Sequence, residues 1–194
     1  MKKVINHMLC GALLIAAGCS REHDPVSYAE NNDNGLRKQV SVGSMLYDIQ
    51  YKPAEYVARM EHLAPAGERQ RARELEGMAW FNISFRVRDY NQSPLRYQVS
   101  GLEEYTARQD YYLNQAPKDI YLLYGKDTLY VSSYWFENNQ NLALHETMVL
   151  GFRLPDGHRR PQQDLRLSFY DRVYRNGIIK AVIRKEDLED VPAL

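Results

Sequence analysis

"LRLSFYDRVYRNGIIKAVI", Leu165 to Ile183, carries the pattern on which the fold turns. Two runs rich in β-branched and aromatic residues flank Asn176-Gly177, a dipeptide that accepts the positive φ angles of a tight hairpin turn. A two-residue turn there predicts Tyr174 opposite Ile179 and Tyr170 opposite Ile183, with apolar partners aligned across the strands. Asp171 interrupts the apolar run. In that register it falls opposite Val182, and a buried strand carboxylate requires hydrogen-bond donors, which indicates a structural place near the turn.

The same alternation recurs outward from this hairpin. "MLYDIQY" (Met45–Tyr51) sets Met45, Tyr47, Ile49 and Tyr51 on one face. "MAWFNISFRV" (Met78–Val87) sets Phe81, Ile83, Phe85 and Val87 on one face and Trp80 on the other. "DIYLLYGKDTLYVSSYWF" (Asp119–Phe136) predicts two strands turned at Gly125-Lys126-Asp127. "LALHETMVLGFRL" (Leu142–Leu154) predicts another, closed by a Pro155-Asp156-Gly157 turn. Helical spacing appears in "PAEYVARMEHLA" (Pro53–Ala64), through Tyr56, Met60 and Leu63, with Pro53 suited to a first turn. It appears again in "SGLEEYTARQDYYLNQAP" (Ser100–Pro117), where Ser100 and Glu103 have capping-box spacing. About eight strand candidates and two short helices predict a mainly β fold, an immunoglobulin-like β-sandwich, with an open α+β sheet as the alternative.

The start of the chain has a different character. Lys2 and Lys3 precede an unbroken run of small or apolar residues from Met8 to Ala17. Such a run is too short to span a bilayer, which takes about 20 apolar residues. It has the parts of a secretory signal. Ala16-Ala17-Gly18-Cys19 resembles the lipobox of bacterial lipoproteins. The resemblance implies cleavage after Gly18, lipid on the Cys19 thiol and acylation of the new amino group. Ala16 stands where that motif usually has Leu. Residues 1–18 are thus expected as a lipoprotein signal peptide, and 19–39 as a lipidated cysteine and flexible, polar tether. Residues 40–194 have the length of one domain with its own core. The chain's second cysteine, Cys10, lies in the removed segment, so neither a disulfide nor a cysteine metal cluster is expected. Ser20, in place of Asp after the cysteine, favours the outer membrane by analogy with enterobacterial sorting, periplasmic or surface-facing.

"DIYLLYGKDTLYVSSYWFENN", "LGFRL" and "YRNGIIKAVIRKEDL" are similar to segments of an uncharacterised lipoprotein family of Bacteroidetes-type bacteria. The resemblance implies an envelope lipoprotein and brings no activity, ligand or catalytic residue.

Signatures of known chemistry are missing. His145-Glu146 opens a zincin-like motif, but Val149 holds the place of the second histidine, and a strand would point the pair to opposite faces. Ile120 occupies the first glycine position of a phosphate loop ending in Gly125-Lys126. The hydrolase elbow Gly-x-Ser-x-Gly is absent. No metal or cofactor is expected. The 25 basic residues balance 25 acidic ones; without Lys2 and Lys3 the count is 23 against 25, which gives no nucleic-acid footprint. The run "GERQRARELEG" (Gly67–Gly77) cancels its own charge and suits a solvated helix or loop.

Fifteen tyrosines are the compositional oddity. Tyrosine buries a ring and keeps a polar tip, so such rings fill a thin core or form a face that stacks on a glycan or grips a peptide. Tyr111, Tyr121, Tyr124, Tyr130, Tyr134 and Trp135 are the candidates for that face. Asp127-Thr128-Leu129 resembles the acceptor site for O-glycosylation in exported Bacteroidetes proteins, with Thr128 as the residue modified; turn chemistry also accounts for it. The leading expectation is a non-enzymatic, lipid-anchored envelope protein. It contacts the membrane through Cys19 and serves in structure or protein association. A glycan- or peptide-binding module and a hydrolase using Asp171, His145 or Glu146 are the rivals.

Overall fold

The computed structural model describes residues 24–139, 142–155 and 158–194. Cys19, the signal segment and the Asp156-Gly157 part of the expected turn lie outside the described residues. Eight strands form the body: β1 (Arg37–Val42), β2 (Met45–Lys52), β3 (Met78–Val87), β4 (Ile120–Tyr124), β5 (Asp127–Glu137), β6 (His145–Arg153), β7 (Leu165–Tyr170) and β8 (Ile178–Ile183). They hydrogen-bond in one row, β1-β2-β3-β6-β5-β4-β7-β8, with every pair antiparallel. The end strands β1 and β8 approach each other, so the sheet rolls almost into a barrel. The mainly β class is as expected. Where an immunoglobulin-like sandwich calls for two sheets, the described strands form a single curved one.

Alternation explains the interior. Met45, Tyr47, Ile49 and Tyr51 of β2 are buried, as are Phe81, Ile83, Phe85 and Val87 of β3. Leu150 and Phe152 of β6, Leu122 of β4, Phe169 of β7 and Ile179 and Ile183 of β8 complete the lining. Each such side chain contributes about 1.5–3 kcal/mol on burial. Ring contacts run through it: Tyr51–Phe81 at 5.4 Å, Phe81–Phe152 at 6.0 Å, Tyr47–Phe85 at 6.1 Å and Phe85–Tyr112 at 4.7 Å. Most of the tyrosine excess among the described residues fills core rather than surface.

Residues 24–39, expected in the tether, are folded. Asp24 caps the helix α1 (Pro25–Glu30) by accepting from the Ser27 amide at 3.0 Å. Tyr28, Ala29 and Leu36 are buried against the sheet, and the Tyr28 hydroxyl donates to the Asp187 carbonyl oxygen at 3.1 Å. These three apolar side chains at irregular spacing suffice, because each meets an existing surface.

The hairpin register is also corrected. Phe169 lies opposite Ile179 and Leu165 opposite Ile183, leaving residues 171–177 as a longer connection. Arg166, not Asp171, faces Val182. Asp171 is the cause. Its Oδ1 accepts from the amides of Val173 (3.0 Å) and Tyr174 (3.4 Å), and its carbonyl accepts from the Arg175 amide at 3.1 Å. The chain therefore coils at once instead of extending to Asn176. The carboxylate is fully buried and also accepts from the hydroxyls of Tyr47 (2.8 Å) and Tyr112 (3.0 Å). Burial raises the Asp171 pKa, opposed by these donors, and burial raises both phenols so that they stay protonated.

Tyr112 reaches Asp171 from the segment after α4 (Leu102–Asp110), where a π turn (Tyr111–Gln115) replaces the regular helix. The helix start differs from the capping box. Ser100 donates through its amide (2.9 Å) and hydroxyl (2.6 Å) to Glu104, not Glu103, and with Arg108 this holds the Glu104 carboxyl down to about 2. Glu104 wins because Arg108 stands one turn further along the same face.

Asp171→Ala strands two buried phenols and two amides. Denaturant unfolding is expected to show a loss of about 3 kcal/mol or more. Asp171→Asn should retain most of the stability, since its oxygen still accepts from the amides while its NH2 meets a phenol oxygen. Equal losses for the two variants would contradict this bonding scheme.

Candidate ligand groove

The outer face of the sheet is covered on one side by α2 (Ala54–Met60) and α3 (Pro65–Glu74). Pro53 ends β2 and caps α2, and His62, in the left-handed region at φ 53°, turns the chain towards α3. Two ion pairs bind the helices together: Arg59 to the buried Glu68 at 2.8 Å, and Arg71 to both oxygens of Glu61 at 2.9 and 3.0 Å. The charged run Gly67–Gly77 is helical to Glu74 and turns beyond it, and instead of cancelling only within the run, Glu68 and Arg71 pair with Arg59 and Glu61 of the preceding segment. It also closes a cavity.

Between these helices and the sheet lies a groove of about 360 Å³, lined by Tyr56, Val57, Met60, Leu75, Trp80 and Val149, with Lys52, Asn82, Glu137 and the Glu61–Arg71 pair. Its size suits a small organic ligand, for which pockets run from about 300 to 1,000 Å³. Strand alternation builds the floor. With Phe81 and Ile83 inside, Trp80 and Asn82 must point out. Lys52 lies opposite Trp80 on β2, and Gly151 lies opposite it on β6. A Cβ at Gly151 would come within 2.8 Å of both Trp80 Cζ3 and Met78 Cε, so the glycine lets the indole lie against the strand. Trp80 Nε1 is buried and finds no hydrogen-bond partner among the described residues.

Lys52 is half-buried. Its ammonium lies 5.0 Å from the Tyr56 ring centroid. The neighbours of Asn82 assign its amide orientation: turned with its oxygen towards Lys52, it accepts from the ammonium at 2.9 Å and its nitrogen donates to the Phe81 carbonyl oxygen at 3.2 Å. Burial lowers the Lys52 pKa; Glu137 and Glu30 act in the opposite direction. Trp135, opposite the groove residue Val149, stands 67% exposed beside this floor. The chain's two tryptophans therefore share one face of the sheet.

The tyrosines singled out from the sequence disperse. Tyr111 and Tyr124 are buried, with their hydroxyls bonded to Asp119 (3.1 Å) and His158 (3.1 Å), so neither offers a ring face to a ligand. Tyr134 is half-buried and donates to the Tyr112 carbonyl oxygen. Tyr121 is half-buried opposite Tyr130, which is 71% exposed. Thr128 is exposed two residues after the Gly125-Lys126 turn. Lys52, Trp80 and Asn82 were not anticipated as site residues, although the outward place of Trp80 was visible in the alternation.

Candidate catalytic groups do not converge. His145 is exposed on the outer face, and Glu146 points inward, fully buried, accepting from Ser93 (3.1 Å) and the Asn139 amide (3.1 Å). Asp171 has its donors inside the sheet. Among the described residues, no three His, Cys, Asp or Glu side chains gather to hold a metal, and no helix is long and apolar enough to cross a membrane. No protein-family model matches the chain, and neither a curated protein nor a solved structure matches it.

Gly151→Ala should displace Trp80 from β6. The expected result is a loss of about 1–3 kcal/mol in unfolding free energy together with shifted tryptophan emission. An unchanged spectrum with wild-type stability would show that the indole does not rest on this glycine.

Proposed function

We propose that the chain is a non-enzymatic binding module of the cell envelope, whose ligand occupies the groove between α2–α3 and the sheet. The observation that carries this reading is the groove itself, apolar in its walls and floored by Trp80. An apolar cavity with a few polar groups is the general form of a small-ligand site. The hydrolase reading has less support, because Asp171 and Glu146 are occupied by internal donors and His145 stands apart from both.

The envelope part of the proposal rests on Ala16-Ala17-Gly18-Cys19 and on the similarity to Bacteroidetes-type lipoproteins. Lipid on Cys19 would hold the domain at the outer membrane. Asp24 caps α1, and the five residues from Cys19 to that cap reach at most about 18 Å, so the domain would ride close to the headgroups. Cys19→Ala is expected to release the protein from the membrane fraction into the soluble envelope fraction. Unchanged membrane retention of that variant would overturn the anchor.

A neutral, environment-sensitive dye, N-phenyl-1-naphthylamine, tests the groove. Its emission should rise on saturable binding, and Met60→Glu, at a position 46% exposed on the rim, should weaken binding at least fivefold with an unchanged unfolding midpoint. Absence of saturable binding would overturn the reading. A glycan platform on Tyr130 and Trp135 is the second reading, favoured by their exposure on β5. It predicts that an oligosaccharide, not the dye, perturbs tryptophan emission and that Trp135→Ala abolishes the effect.

A further inference from the structure

We infer that the ligand of this groove is a single-chain amphiphile of the fatty-carboxylate class, with its apolar chain along Val57, Met60, Leu75 and Val149 and its anionic group on Lys52. The inference rests on the binding-module reading and specifies its ligand.

The floor excludes one common alternative. β3 and β6 are paired on both sides, so they offer no free row of backbone amides and carbonyls to an added peptide strand. A ligand meets side chains only. Val57, Met60, Leu75, Trp80 and Val149 give it an apolar stretch that suits a hydrocarbon chain, and of the polar lining residues Glu61 and Arg71 are already taken by each other.

Charge selects the headgroup. Lys52 is a half-buried cation that has an amide oxygen and a ring face as neighbours, but no carboxylate within ion-pair distance among the described residues. Other charges line the groove as well. Glu61 and Arg71 neutralise each other at 2.9 Å, and Glu137 is exposed, where water screens it. Glu137 and Glu30 act on the ammonium from beyond ion-pair distance and offset its charge only in part, so the poorly solvated charge facing a ligand is positive. Burial depresses the Lys52 pKa against the pull of Glu137 and Glu30, and a bound carboxylate would relieve that penalty by placing a counter-charge in direct contact.

The test is a titration of the full chain in detergent-free buffer, followed by tryptophan emission. The probes are dodecanoate, dodecanol and dodecyltrimethylammonium, each below its micelle concentration. Dodecanoate should bind at least tenfold more tightly than the cationic chain. Lys52→Gln should weaken dodecanoate about tenfold and leave dodecanol within twofold. Equal binding of the cationic probe, or unchanged dodecanoate affinity in Lys52→Gln, would overturn the inference. If all three probes fail while the neutral dye still binds, the ligand class is wrong and the groove stands; if the dye fails too, the binding-module reading falls with it.

Discussion

One buried carboxylate ties the molecule together. Asp171 sits where β7 ends, and its two oxygens gather hydroxyls from β2 and from the turn after α4, together with two amides of its own loop. Those donors come from positions 47, 112, 173 and 174, segments far apart in sequence. A charge inside an aromatic core is costly unless its acceptors are filled. Here the filling groups are the tips of tyrosines whose rings form the core. The buried tyrosines and the carboxylate at the end of β7 thus belong together: Tyr47 and Tyr112 bury their rings in the core and end on a common acceptor.

Fixing that end of the sheet also fixes the outer face. With Tyr47 held inward, the period of two along β2 delivers Lys52 outward, and pairing with β3 sets Trp80 beside it. Gly151 on the next strand leaves space for the indole. The helices α2 and α3 roof the result because Glu61, Glu68, Arg59 and Arg71 pair across them. The groove is therefore a consequence of register, with polarity supplied by side chains that the alternation forces outward.

Strand positions were legible from residue periodicity, since Met45–Tyr51 and Met78–Val87 alternate without interruption. The closure of the sheet was not, because a period of two records which face is buried and nothing about how far a sheet curves. The hairpin register failed for a local reason. Asn176-Gly177 is a strong turn signal, but Asp171 bends the chain five residues earlier through contacts with Tyr47 and Tyr112 that no local pattern reveals. Residues 24–39 looked like tether because Tyr28, Ala29 and Leu36 have no common period, and their burial depends on a surface made by distant strands. The same limit hid the site. Trp80 was readable as outward-facing, yet its joining with Lys52 and Leu75 into a cavity depends on where α2 and α3 fold back. Exposure could not be assigned tyrosine by tyrosine: Tyr124 and Tyr130 lie six residues apart on paired strands, one buried and one open.

A ligand in the Trp80 groove would be reported directly by the two indole N–H signals of a nitrogen–proton correlation spectrum. The chain has only two tryptophans, so each signal is assignable by a single Trp→Phe variant. Addition of dodecanoate is expected to shift the Trp80 signal progressively to saturation, with accompanying backbone shifts in β2, β3, α2 and α3. A stationary Trp80 signal, with any shifts confined to other faces of the sheet, would contradict the account.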